Sequence, residues 1–159
     1  MDIKVGFGFD VHQLEEAAPL WIGGVKIPSE KGAVGHSDAD VLIHAICDAL
    51  LGAANLRDIG FNFPDTDPQY KGINSLSLLQ EVCHKVNDAG YQVNNIDCTV
   101  SLEKPKISEY IPDMKKALAS VSCISETDIS IKATTTEKLG FTGRQEGIAA
   151  HCVVMVKRI

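Results

Sequence analysis

The sequence predicts a mixed α/β fold: an α+β sandwich in which one mostly β-sheet layer is covered by about three helices. Three observations carry this reading. Ile3, Val5, Phe7 and Phe9 alternate with Lys4, Gly6 and Gly8, the period of two that marks a strand with one apolar face. The run VLIHAICDALLGA reads as a helix ending near Gly52. Strand and helix patterns then alternate to the C-terminus, an order that lays helices on a sheet.

Taken in order, the first strand runs into Asp10-Val11-His12. The segment from Leu20 to Ile27 surrounds a Gly23-Gly24 pair and reads as a short hairpin. Ser37, with Asp40 three residues on, resembles a helix start, although Asp is shorter than the Glu of a capping box. From Asn55 to Gly72 the chain is NLRDIGFNFPDTDPQYKG, where Gly, Pro, Asp and Asn break any period. A long loop is expected there, and loops of that length in compact domains are often functional. A second helix is expected from about Asn74 to Ala89, with Leu76, Leu79, Val82, Cys83 and Val86 inward and Gly90 as its stop. A strand at about 91–102, a third helix at about 108–119, a strand at about 129–133 and a nearly continuous apolar strand at about 148–156 complete the pattern.

At 159 residues the chain fits one domain, 1–159. Its 45% hydrophobic and 23% charged residues exclude a disordered chain. The net charge of -6 argues against a non-specific nucleic-acid binder, which would be basic. Apolar runs such as VVMV are far too short to cross a bilayer, so no membrane partner is expected. Five widely spaced cysteines without a C-x-x-C pair read as small buried hydrophobes in a reducing compartment. The expected location is a bacterial cytoplasm, or a plastid stroma if a transit peptide has been removed.

Asp10 and His12 are two apart at the end of a strand, so their side chains share one side and can converge on one ion. The same pair also reads as a turn-capping Asp beside a surface His. His44 sits in the otherwise apolar helix, with Asp40 and Asp48 four residues to either side in a polar seam. One Asp and two His make a three-ligand zinc set with an open fourth position. Asp48 is a candidate partner for an imidazole, or a solvated helix charge.

The segment KATTTEKLGFTGR, 132–144, is the densest polar stretch and follows a strand pattern. Its hydroxyls and backbone N–H groups could cradle phosphate oxygens. Glu137 could hold a divalent ion against a diphosphate, and Arg144 could pair with an anion bidentately. The alternative is a glycine-containing β-turn with polar decoration. His36-Ser37 is expected beside the positive end of the first helix, a natural anion site. Glu103-Lys104-Pro105-Lys106 places two cations at a strand end, and Asp58, Gly60, Asp65 and Lys71 lie in the long loop. There the carboxylates either bind sugar hydroxyls or cap turns.

Three stretches, GFGFDVHQL at 6–14, GHSDADVLIHAICDALLGAANLRDIGFNFPDTDP at 35–68 and KATTTEKLGFTGRQEGIAA at 132–150, together resemble the 2-C-methyl-D-erythritol 2,4-cyclodiphosphate synthase family. The resemblance implies conversion of 4-diphosphocytidyl-2-C-methyl-D-erythritol 2-phosphate to the 2,4-cyclodiphosphate and CMP, a phosphorus–oxygen lyase reaction of the non-mevalonate isoprenoid route. It implies Zn²⁺ on Asp10, His12 and His44, and Mg²⁺ or Mn²⁺ on Glu137 and the substrate phosphates. His36 and Thr135 would stabilise the transition state, and Ser37 would hold phosphate. Asp58, Gly60 and the 63–65 stretch, including Phe63 and Asp65, would hold the methylerythritol part. The 102–108 stretch with Lys106, and Thr134, Thr135, Thr136 and Glu137, would hold the cytidine diphosphate. Phe141 and Arg144 fall on ligand-contacting positions of the family. A homotrimer with active sites between subunits is also implied, with an apolar axial cavity that Phe7, Phe141 and Arg144 would line. The EKPKISEYIP stretch departs from the alanine-proline-lysine pattern more common in the family. A zinc-dependent phosphate-ester hydrolase and a non-catalytic nucleotide or prenyl-diphosphate binding module are the competing functions.

Overall fold

The computed structural model describes residues 2–159. Seven strands and three long helices follow in the order β1 (Ile3–Glu16), β2 (Leu20–Ile22), β3 (Val25–Ile27), β4 (Lys31–Val34), α1 (Val41–Ala53), α2 (Ile59–Asn62), α3 (Ser75–Asp88), β5 (Tyr91–Ser101), α4 (Ile111–Ser122), β6 (Ile129–Thr134), α5 (Gly140–Gly143) and β7 (Gly147–Arg158). The short α2 and α5 are single turns. The main sheet has the order β4-β1-β7-β5-β6; its pairs are antiparallel except β5 with β6. The hairpin of β2 and β3 stands apart, turning through Gly23 and Gly24, both at positive φ.

The core lies between one face of this sheet and α1, α3 and α4. The apolar seam of α3 is Leu78, Leu79, Val82 and Val86, all buried; Leu76 and Cys83 sit at its margin. Helix α1 is apolar on nearly every side and carries ten buried residues. It lies flat on β1 because β1 presents glycines there. A Cβ at Gly6 would sit 1.9 Å from the Ala49 carbonyl oxygen, and one at Gly8 1.9 Å from that of Ala45. Only glycine lets the two backbones approach this closely.

The apolar face of the first strand points away from the helices. Gly6 and Gly8 face the helices, while Ile3, Val5, Phe7, Phe9 and Val11 are exposed on the opposite face. The strand also runs to Glu16 and gains an edge partner, β4, which the sequence pattern did not announce. The Asn55–Gly72 stretch is ordered by α2 and a 3₁₀ turn at Pro68–Tyr70. A further 3₁₀ turn, Ser108–Tyr110, leads into α4. All five cysteines are free; Cys47, Cys98 and Cys152 are buried, whereas Cys123 is exposed against expectation.

Candidate active site and metal centre

Even-numbered residues of β1 face the helices, so the row Gly6, Gly8, Asp10, His12 runs beneath α1. The glycines bring α1 down, and His44, next to Ala45, then reaches the end of the row. The Asp10 Oδ2 atom lies 2.9 Å from His12 Nε2 and 3.1 Å from His44 Nδ1, and the two imidazole nitrogens are 3.0 Å apart. Among the described residues this trio forms the one such convergence of His, Cys, Asp or Glu side chains. A tetrahedral ion with ligands at about 2.0–2.1 Å sets its donors about 3.3 Å apart, so the three atoms nearly describe one face of such a site. The donor set thus fits a zinc-like ion.

Burial alone would raise the Asp10 carboxyl, but hydrogen bonds and charge from His12 and His44 hold it down at about 2. Burial opposes protonation of His44, yet Asp10 lifts its pKa above the ordinary value. The His44 Nε2 atom meets Ser37 Oγ at 3.0 Å and Ser75 Oγ at 3.2 Å. The Ser75 hydroxyl donates to Asp38, which also accepts the Ser75 N–H at 2.8 Å. Asp38 and Ser75 carry no signal in the sequence, because 37 residues separate them along the chain.

The expected polar seam of α1 divides into three separate jobs. Asp40, not Ser37, is the N-cap: its buried carboxylate accepts from Ile43 N, Gly23 N and Gly24 N at 2.7–3.0 Å. It occupies the positive end of α1, while His36 and Ser37 line the neighbouring cleft. Such a cap is worth about 1 kcal/mol. Asp48 does not orient an imidazole; its Oδ1 accepts from Ile59 N at 2.7 Å and ties α2 to α1.

A cleft of about 190 Å³ opens beside the trio. It is lined by His12, His36, Ser37, His44, Gly60, Phe63, Asp65 and four apolar or aromatic residues, Ile59, Tyr70, Ile73 and Leu78. Phe63 is held edge-on against Tyr70, with ring centroids 5.2 Å apart. Asp58 is not in the lining; it is the N-cap of α2 and accepts from Phe61 N at 3.2 Å.

A second cleft, about 260 Å³, is lined by Leu102, Glu103, Pro105, Lys106, Ile107, Ser108, Ala133, Thr134 and Thr135. It shares no lining residue with the first. Beyond it the chain turns through Glu137 and Lys138, two consecutive non-glycine residues at positive φ, a strained arrangement. Thr136 bolts this turn, its hydroxyl meeting Leu139 O at 2.7 Å and Thr142 Oγ1 at 2.8 Å. The segment ends in α5 rather than a plain β-turn. The Glu137 carboxylate is exposed and has no ion-pair partner among the described residues. A single free carboxylate suits a hard cation whose other ligands are phosphate and water. Phe141 packs over Gly147. The Arg144 fork already grips both carboxylate oxygens of Glu146, at 3.0 and 3.1 Å.

The YgbB family model matches residues 3–157. The chain belongs to the YgbB family. It is 60% identical over its whole length to the 2-C-methyl-D-erythritol 2,4-cyclodiphosphate synthase of Parabacteroides distasonis, covering 99% of that protein. It is 59% identical to the synthase of Bacteroides fragilis, with both chains fully covered. Among solved structures, 99% of the chain superposes on the bifunctional IspDF of Campylobacter jejuni with a TM-score of 0.95 at 44% identity, matching 43% of that longer chain. A CDP-bound 2C-methyl-D-erythritol-2,4-cyclodiphosphate synthase gives 0.90 at 34% identity, with 97% of this chain and all of that one covered. The two YgbB-family relatives quoted by sequence are bacterial. Among the described residues no helix is long and apolar enough to cross a membrane.

Proposed function

We propose that this protein is an enzyme converting 4-diphosphocytidyl-2-C-methyl-D-erythritol 2-phosphate to 2-C-methyl-D-erythritol 2,4-cyclodiphosphate and CMP, a phosphorus–oxygen lyase of the non-mevalonate isoprenoid route. The observation that carries the reading is the Asp10–His12–His44 trio opening onto the cleft of His36, Ser37 and Asp65. The names of the bacterial relatives support the reaction, and the CDP held by a structural neighbour supports a cytidine-diphosphate substrate.

The substrate's 2-phosphate attacks its own β-phosphorus. One P–O bond forms, the bond to the CMP oxygen breaks, and neither water nor a protein nucleophile is consumed. Positioning is therefore most of the task, because both reacting groups are already on one molecule. Asp10, His12 and His44 would hold Zn²⁺, and Glu137 would hold Mg²⁺ or Mn²⁺; bound there, the ions would draw negative charge from the phosphoryl oxygens. Gly60, Phe63 and Asp65 would bed the methylerythritol part on a floor made rigid by Phe63 and Tyr70. Asp58 would contribute by shaping α2 as well as by any contact of its own. Ser37 would hold phosphate, while His36 and Thr135 would direct hydrogen bonds at charge that develops during transfer. Lys106 and Thr134–Glu137 would take the cytidine diphosphate. With its hydroxyl engaged in the loop, Thr136 would offer its backbone.

The exposed apolar row of Val5, Phe7 and Val153 supports association into a homotrimer, in which each site would join the two clefts of neighbouring subunits. The working domain is the whole chain, and a bacterial cytoplasm is the proposed location. Phosphorus NMR of the products from the cytidine substrate with Zn²⁺ and Mg²⁺ tests the function. Cyclic diphosphate and CMP are expected; inorganic phosphate without a cyclic product would overturn the proposal in favour of a hydrolase.

A further inference from the structure

We propose that Asp38 and Ser75 are positioning residues of the metal centre, acting through His44 by fixing which of its nitrogens carries the proton. The inference rests on metal binding by Asp10, His12 and His44.

The Nδ1 atom of His44 faces Asp10 Oδ2 at 3.1 Å and His12 Nε2 at 3.0 Å, so it is the nitrogen offered to an ion. A ligating nitrogen carries no proton, so the neutral ring must bear its hydrogen on Nε2. That N–H needs an acceptor, and the hydroxyls of Ser37 and Ser75 are within reach, at 3.0 and 3.2 Å. A hydroxyl can accept only if its own proton is placed elsewhere. For Ser75 the place is unambiguous: its hydroxyl lies against Asp38 Oδ1, and a carboxylate only accepts.

Everything around Asp38 enforces that direction. Its oxygens also receive the backbone N–H of Ser75 at 2.8 Å and of Asp40 at 3.2 Å. The chain thus runs from His44 Nε2–H to Ser75 Oγ–H to the Asp38 carboxylate, with every link pointing away from the ion. Ser75 is fully buried at the first position of α3, so water does not compete for its hydroxyl. Metal-bound histidines commonly rest their second nitrogen on a carboxylate or carbonyl; here a serine is interposed.

A second consequence concerns Ser37. Because Nε2 is a donor, the Ser37 hydroxyl cannot give its proton to His44. It already accepts the Ala39 N–H at 3.3 Å. Its own proton is therefore free for the cleft that it lines, where an anionic phosphate oxygen would take it.

Asp38→Asn tests the relay because it can reverse it. An amide turned so that its oxygen takes the Ser75 N–H presents NH₂ to the Ser75 hydroxyl. That hydroxyl must then donate to Nε2 and drive the ring proton onto Nδ1. Ser75→Ala removes the link with little change of shape. Two measurements on purified protein decide. Nitrogen-15 shifts of the histidine rings in metal-free protein near pH 9 report the tautomer, and competition titration with Zn²⁺ alone reports affinity.

The wild type is expected to hold His44 as the Nε2–H form. Asp38→Asn is expected to shift it toward Nδ1–H and weaken zinc binding about 10–100-fold, with Ser75→Ala losing roughly 3–10-fold. Unchanged ring shifts together with zinc affinities within about twofold of wild type would overturn the relay. Weaker zinc binding with unchanged ring shifts and a lower melting temperature would also overturn it, marking a purely structural role. If Asp38→Asn does not fold, Ser75→Ala decides by the same readings. Failure of the wild type itself to bind zinc would instead remove the metal reading on which the relay depends.

Discussion

At Asp10 and His44, two shifts of opposite sign set a pH window. The Asp10 carboxyl is held at about 2, below its ordinary 3.8, so its contribution to stability is present above 3.8 and is lost as pH falls toward 2. The His44 pKa is raised above 6.5, so its contribution is complete below 6.5 and is lost as pH rises through the folded value. With chelator present, the pair should stabilise the protein most between about pH 4 and 6.5, which melting curves across pH 3–9 would reveal. Zinc reverses the alkaline limb. The ion needs His44 neutral, so its affinity should fall up to about tenfold per pH unit below the His44 value. Titrations at pH 6 and 8 check this; equal affinities would contradict it. Glu137 offers a separate test at the second cation position. Glu137→Gln should cut Mg²⁺-dependent turnover at least ~10-fold while leaving zinc affinity unchanged, since one neutralised oxygen is a poor partner for a hard cation. Parallel loss of both would indicate a damaged fold.

The contact of α1 with β1 is the element on which the metal centre depends, and it was only half legible in the sequence. The alternation in β1 marked a strand, and the spacing of Asp10 and His12 placed them on one side. Which side was core could not be read, because burial usually follows large apolar residues and here it follows glycines. The rule failed because α1 needs no side chains beneath it; Ala45, Ala49 and Ala53 fill the space themselves. The Asp40 cap was misplaced for a related reason: its partners Gly23 and Gly24 belong to a hairpin remote in sequence. Gly8→Ala measures the contact. Its methyl would lie 1.9 Å from the Ala45 carbonyl oxygen, and no rotamer relieves a clash with backbone. The variant should lose roughly 3 kcal/mol, some 6–12 °C in melting temperature for a chain of this size. Zinc affinity should fall with it, because His44 rides on the displaced helix. A folded variant with wild-type melting and zinc binding would show that α1 does not need the glycine.

For the whole molecule, charge and surface point the same way. Lys132 is paired with Asp97 and Arg144 with Glu146, so two of the cations nearest the 132–144 segment are already engaged rather than free for a polyphosphorylated substrate. Metal ions and a neighbouring subunit would add to the charge that Lys106 offers in the second cleft. The outward face of β1 and β7 is equipped for such a neighbour. Val5 and Phe7 are 64% and 63% exposed, and Phe7 lies opposite Val153, itself 44% exposed. An apolar row of this extent on a single chain marks an association surface. The row grows polar toward β6, where Asp97 and Lys132 meet. Phe7→Asp places a carboxylate on that face, and burying it unpaired would cost several kcal/mol per copy. Light scattering should then report one chain instead of three. Zinc affinity should stay within about twofold of wild type, because Asp10, His12 and His44 all come from one chain. Turnover should fall at least ~100-fold, because the two clefts would no longer meet across a subunit boundary. A monomer that keeps full turnover would mean that each chain holds a complete site. A trimer that survives the substitution would place the interface elsewhere. Separating assembly, zinc binding and turnover in one variant thus distinguishes a site shared between chains from one that merely sits near an interface.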